Sequence, residues 1–348
     1  MQSSFKILII RFSSLGDIVL TTPVFRELKK IYPQSHLTFL TSYEFGSVVA
    51  NNPYIDQAIY HSRQESRQEL NQLVNSLKKQ SYDVIYDIHR SLRSRWICWN
   101  LKNTLFTKGP KIWRINKQGW ERTLLIQLKI NLLNKNFSQR ERFLKPLQHR
   151  VSYSLNPKTE LFPTDEQKNT IERLLEENHV PAKKFICIGP SASFPGKCWP
   201  VAYFQTLISE LLEHKWKIIL VGGKDEEEPK KLKEYFTNAV FDLSGKLNPL
   251  ESAALLSRAS FVVCNDTSIG HLAEAMGTPA ITIFGPTVRE FGYAPFLPKS
   301  VLVEKDLPCR PCTRNGKGEC KISETRLCLT SISPTMVKEE ILKLTSSD

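Results

Sequence analysis

Ten short apolar runs punctuate the chain, and nearly every one is followed by a stretch with helical periodicity. In the first half the runs are "KILIIR" from Lys6, "HLTFLT" from His36, "DQAIYH" from Asp56, "DVIYDIH" from Asp83 and "KIWRI" from Lys111. Helical patterns start near Gly16, Tyr43, Gln64 and Ser91, and again at Glu121. Strand, helix, strand repeated in this way builds a parallel sheet, because parallel neighbours need a crossover between them. The runs lack a polar alternation, as expected of strands covered on both faces. Residues 134–163 lose the pattern, carry Pro146, Pro157 and Pro163, and read as an interdomain linker. The alternation restarts with a helix from Thr164, where Thr164 and Gln167 have capping-box spacing. Strands are expected at "FICIGP" (Phe185), "KIILVGG" (Lys217), "VFDLSG" (Val240), "FVVCND" (Phe261) and "PAITIFGP" (Pro279). Helices follow at Val201, Glu226, Pro249 and Ser268, and a last one spans Pro334 to Leu344. The expectation is an α/β chain of two doubly wound, Rossmann-like domains facing across a cleft, 1–160 and 161–348.

In open parallel sheets, ligands bind at the carboxyl ends of the strands. Four stretches place polar residues there. After "KILIIR" comes "FSSLGD", which puts Ser14, Gly16 and Asp17 in a strand-to-helix turn, with Ser14 and Gly16 as candidates for the donor phosphate. Asp17 is a candidate general base, or else a partner of the helix dipole behind a Ser13 or Ser14 cap. Residues 189–200, "GPSASFPGKCWP", present Ser191, Ser193 and then Lys197 on a short glycine-containing loop, where a lysine can reach a diphosphate. "VGGKDEEEPKK" offers two glycines for close approach and Glu226 or Glu227 as a ribose hydroxyl acceptor; the same acidic run also suits a helix N-terminus. Finally "FVVCNDTSIGHLAEAMG" ends a strand at Asp266 and starts a helix at Thr267 and Ser268, with His271 one turn on. The first-turn amides, the two hydroxyls and the imidazole suit a phosphate; the alternative is a capped helix whose His271 packs inward.

With 348 residues and 41% hydrophobic content the chain can bury two cores. No apolar run approaches the ~20 residues that cross a bilayer, and the N-terminus does not read as a signal peptide. Eight scattered cysteines suit a reducing compartment, so a cytoplasmic protein is expected. The net charge of +13 is lopsided: residues 1–163 hold 25 Lys and Arg against 11 Asp and Glu, leaving the rest near neutral. Arg63 and Arg67, then Arg90, Arg93 and Arg95, and the run from Lys108 to Arg122 form clusters that attract phosphates when they are not merely a solvated face. No DNA or RNA motif accompanies them, and helices of mixed charge split them, so no nucleic-acid partner is expected.

Taken together, "RFSSLGDIVLTTPVFRELKKIYP", "GPSASFPGKCWP", "CNDTSIGHLAEAMGTPAITIFGPT" and the tail "PCRPCTRNGKGECKISETRLCLTSISPTMV" resemble the ADP-heptose:lipopolysaccharide heptosyltransferases, glycosyltransferase family 9. The resemblance implies a GT-B fold, an inverting mechanism, an acceptor site in the first domain and an ADP-sugar site in the second. It implies Asp17 as catalytic base, Lys197 as the phosphate-contacting lysine, and Asp266, Thr267 and His271 as donor-binding. It further implies no required cofactor, a phosphorylated lipid A or inner-core acceptor, and a peripheral place on the inner face of the inner membrane. Arg63, Arg67, Arg90 and Arg93 are the candidates for the acceptor. The family usually has Gly where Ser268 stands, so a side chain here narrows the donor's approach. Rival readings are a nucleotide-sugar epimerase of similar architecture and a non-catalytic nucleotide-sugar binder. The tail cysteines Cys309, Cys312, Cys320 and Cys328 include one CxxC pair and no second one, so the expectation is no metal, with zinc as the alternative.

Overall fold

The structure, a computed structural model, describes residues 5–345 apart from 63, 65, 103–108, 137, 321, 323 and 324. It divides into two compact units. The first comprises residues 1–117 and 139–162, and the second 118–138 and 163–348. The chain therefore crosses between units at 117/118, 138/139 and 162/163, not at one point near 160.

The first unit holds a five-stranded sheet of β1 (Lys6–Ile10), β2 (His36–Ser42), β3 (Gln57–His61), β4 (Val84–Asp87) and β5 (Lys111–Arg114), in the order β3-β2-β1-β4-β5. Every pairing is parallel. Ile7, Leu8, Ile9 and Ile10 are fully buried, which is why β1 reads as an unbroken apolar run. Phe25 of helix Thr22–Ile31 meets Phe39 of β2 edge-on at 4.9 Å, an arrangement that favours aromatic pairs.

One segment read as linker is a helix. Gln139–Gln148 buries Phe143, Leu144 and Leu147 in the first unit. Pro146 suggested a break; past the first turn it forgoes one intrahelical hydrogen bond, and the buried apolar face outweighs that loss.

The second unit holds six parallel strands: β6 (Phe185–Gly189), β7 (Lys217–Leu220), β8 (Val240–Asp242), β9 (Phe261–Asn265), β10 (Ala280–Phe284) and β11 (Val301–Glu304). Their order is β11-β10-β9-β6-β7-β8. β11 was not expected from the sequence; it is four residues long, at the sheet edge, and only one of them is buried. The expected capping box is present, with the Thr164 hydroxyl accepting from Gln167 N at 3.1 Å and the Gln167 side chain accepting from Thr164 N at 2.9 Å.

In both sheets the strand order reverses beside the first strand of the unit, between β1 and β4 and between β6 and β9. Crossovers depart to opposite sides at such a point and leave the strand ends open to ligand.

Candidate active site

Asp17, Lys197 and Asp266 lie at these two reversals. In the first unit, Ile10 pairs with Asp87, so the segment leaving β1 runs beside the end of β4. Arg11 and Asp17 form an ion pair there, both largely buried. Ser14 adds its hydroxyl to the same Asp17 oxygen at 3.3 Å and its amide at 3.5 Å. The guanidinium of Arg11 also donates to Ile88 O at 3.2 Å and lies over the ring of Phe143, at 5.4 Å from its centroid. Gly16 is buried in the short helix Leu15–Val19. Asp17 is thus a held carboxylate with a defined direction.

Asp87, fully buried, accepts from Arg90 N at 2.7 Å and lies 3.7 Å from Arg114 Nε. Arg90 donates to Ile115 O at 2.7 Å, and the Lys117 ammonium to Arg90 O at 3.3 Å. Burial, reinforced by the Arg11 guanidinium, pulls the Lys117 ammonium below its ordinary range. A phosphate placed here would be met by cations that already repel one another, which strengthens its hold. Arg93 meets His61 Nε2 at 2.9 Å, and the Phe12 ring lies tilted against His61 at 5.3 Å and edge-on to His89 at 5.1 Å. Arg67 is exposed on the first turn of helix Arg67–Lys79. Arg63 and Lys108 lie outside the described residues.

In the second unit, Gly189 pairs with Cys264 and brings the loop after β6 against the end of β9. Lys197 Nζ and Asp266 Oδ2 are 2.6 Å apart, and the same carboxylate oxygen accepts from Thr287 Oγ1 at 2.8 Å. The Thr267 hydroxyl caps helix Ser268–Ala275 by accepting from Ile269 N at 3.3 Å. Ser268 opens that helix, half-buried. His271 is buried, its ring 6.2 Å from that of Tyr293. Ser191 donates to Glu228 Oε2 at 2.8 Å, while Ser193 is exposed in a bend. The two glycines after β7 give room to this chain's own Glu226: a Cβ on Gly222 would lie 2.3 Å from its carboxylate. Glu227 is exposed and paired with Lys230 at 2.9 Å. Only Glu226 of the two therefore stands at the strand end.

Several residues here carried no individual signal. Asn265, fully buried, accepts from Trp199 N at 3.0 Å and donates to Pro190 O at 2.6 Å, tying the Lys197 loop to β9. Arg11, Asp87, Thr287 and Glu228 are likewise visible only once the strands are aligned. Burial, with Glu228 next, pushes the Cys198 thiol up to about 12, so it stays protonated at neutral pH. Among the described residues, no group of three or more His, Cys, Asp or Glu is placed to hold a metal ion. Nor is any helix long and apolar enough to cross a membrane.

A sequence profile described as glycosyltransferase family 9 (heptosyltransferase) matches residues 70–322, well over half of the chain. The chain belongs to glycosyltransferase family 9. Among family relatives, lipopolysaccharide heptosyltransferase 3 of Escherichia coli is 27% identical over 292 residues, 79% of this chain and 82% of that one. A family 9 glycosyl transferase from Veillonella parvula superposes with a TM-score of 0.79 at 18% identity, covering 100% of this chain and 99% of that one. The E. coli ADP-heptose LPS heptosyltransferase II superposes with a TM-score of 0.73 at 20% identity, covering 97% and 98%. These likenesses establish the GT-B class of the two parallel-sheet domains. Membership makes this chain a glycosyltransferase and removes the support for an epimerase or a non-catalytic binder.

Proposed function

We propose that this family 9 enzyme moves heptose, or a closely related sugar, from an ADP-sugar to the inner core of lipopolysaccharide, with inversion at the anomeric carbon. The observation that carries the reading is that each sheet reversal holds a matched carboxylate and cation: Asp17 with Arg11 in one unit, Asp266 with Lys197 in the other. The first supplies a base and the second a seat for a leaving diphosphate. Asp17 takes the proton from the acceptor hydroxyl as its oxygen attacks the anomeric carbon, and the bond from that carbon to the diphosphate breaks, releasing ADP. Lys197, the amides at the start of helix Ser268–Ala275 and His271 meet the charge that develops on the diphosphate, and this chemistry requires no metal. Ser191, Ser193, Thr267 and Ser268 line the phosphate approach, and Glu226 is placed for the ribose. Arg90, Arg93 and Lys117 hold the anionic acceptor. The excess charge of residues 1–163 then faces a phosphate-bearing lipid at the inner leaflet. The first unit would bind the acceptor and the second the nucleotide sugar.

The test is incubation with purified heptose-free lipid acceptor and ADP-heptose, with UDP-sugars in parallel arms, read by mass spectrometry of the lipid. One added heptose only in the ADP-heptose arm is expected. Modification of the sugar without acceptor, or transfer from a UDP-sugar alone, would overturn the assignment.

A further inference from the structure

The cysteine-containing tail from Pro308 to Cys328 has no part in the proposed reaction, yet it packs on the loop that carries Lys197. Gly316 stands in the left-handed region at φ +84°, and a Cβ there would lie 2.5 Å from Lys197 Cγ and 3.2 Å from Cδ and Cε. A Cβ on Gly196 would lie 2.2 Å from the carbonyl oxygen of Gly316. Arg326 donates to Pro195 O at 2.8 Å from the other end of the tail. The Gly316 turn is itself fixed: Thr313 Oγ1 donates to Lys317 O at 3.2 Å, and Arg314 to Gly119 O at 3.0 Å. Upstream, Lys129 Nζ donates to Cys309 O at 2.8 Å and Pro311 O at 2.7 Å. The tail also reaches the lysine's partner. Arg310 donates to Thr287 O at 2.6 Å, and the Thr287 hydroxyl donates to Asp266.

A lysine stem left free samples many rotamers, and fixing it on binding weakens whatever its ammonium grips. We infer that Gly316 is a positioning residue: its side-chain-free backbone walls the stem of Lys197 and sets the ammonium at the end of β9 before a nucleotide diphosphate arrives. The inference rests on the reading of Lys197 as the phosphate-contacting lysine. It gives the tail a purpose that none of its cysteines explains singly.

Gly318 supplies the control. Its φ of +96° is equally left-handed, but a Cβ there meets nothing within 4 Å. Gly316→Ala and Gly318→Ala therefore both put a side chain at positive φ, and only the first pushes on Lys197. ADP affinity, measured by calorimetry on the full chain, should fall about tenfold in Gly316→Ala and stay within about twofold in Gly318→Ala. In a Lys197→Met background, Gly316→Ala should cause no further loss. Equal losses from the two glycine variants, or a full loss from Gly316→Ala in the Lys197→Met background, would overturn the positioning role. Unchanged ADP affinity in Lys197→Met alone would overturn the reading beneath it, and the inference with it. Should Gly316→Ala fail to fold, Gly196→Ala displaces the Gly316 backbone itself, whose carbonyl oxygen its Cβ would meet at 2.2 Å, and its loss of ADP affinity should likewise vanish in the Lys197→Met background; a full loss there would overturn the positioning role.

Discussion

Asp17 is gripped by Arg11, and that grip changes what its removal would measure. Asp17→Asn keeps a side-chain oxygen but can neither take a proton nor balance the guanidinium. Turnover should fall by roughly 10² to 10⁴ if Asp17 is the base. Leaving a largely buried arginine with a neutral partner should also cost about 1–3 kcal/mol of stability. Asp17→Glu restores the charge and shifts the carboxylate, so it should recover most of the stability and little of the turnover. Melting temperature, ADP affinity and kcat measured on each variant separate the two effects. An Asp17→Asn enzyme with near-normal kcat at saturating acceptor would remove Asp17 from the chemistry. Asp17, Lys197 and Asp266 stood out in the sequence because each lies in the turn or loop that follows an apolar run. Arg11 and Thr287 were not. Each acts on a group across a loop or from a neighbouring strand, and no local pattern records that.

At the level of elements, nearly all strands and helices could be read from apolar periodicity and its stop signals, because central parallel strands are buried on both faces. The exceptions have physical causes. β11 is short and on the sheet edge, so its burial signal is weak, and helix Gln139–Gln148 conceals its apolar face behind a proline. What no element pattern shows is how one loop is tied to the next strand. Asn265 does this through Trp199 N and Pro190 O, while Trp199 itself donates from Nε1 to Ile332 O at 2.9 Å and packs edge-on against Phe204. Asn265→Ala would strand a buried donor and acceptor at once, and about 2–4 kcal/mol of stability should be lost. Urea unfolding provides the check. A loss below ~1 kcal/mol would mean that the packing of Trp199, and not the amide, holds the loop.

For the whole molecule, the lopsided charge is the main physical lever. Association with vesicles containing anionic lipid should weaken steadily as salt rises, since exposed charges are screened over ~8 Å at physiological ionic strength. Co-sedimentation across a salt series measures it, and binding indifferent to salt would refute the electrostatic attachment. Replacing Arg90 and Arg93 together should lower both vesicle binding and turnover on the lipid acceptor while sparing ADP affinity. The threefold crossing of the chain has a consequence for heredity as well as for folding. Because residues 118–138 lie with the second unit and 139–162 with the first, neither unit is a single stretch of reading frame. A gene exchange between relatives with one breakpoint near codon 160 would strand the Gly119–Leu128 helix with a foreign neighbour. Only recombination at several breakpoints, near 117, 138 and 162, could trade either unit intact, so the units of such a lineage should diverge by point substitution more readily than by domain swapping.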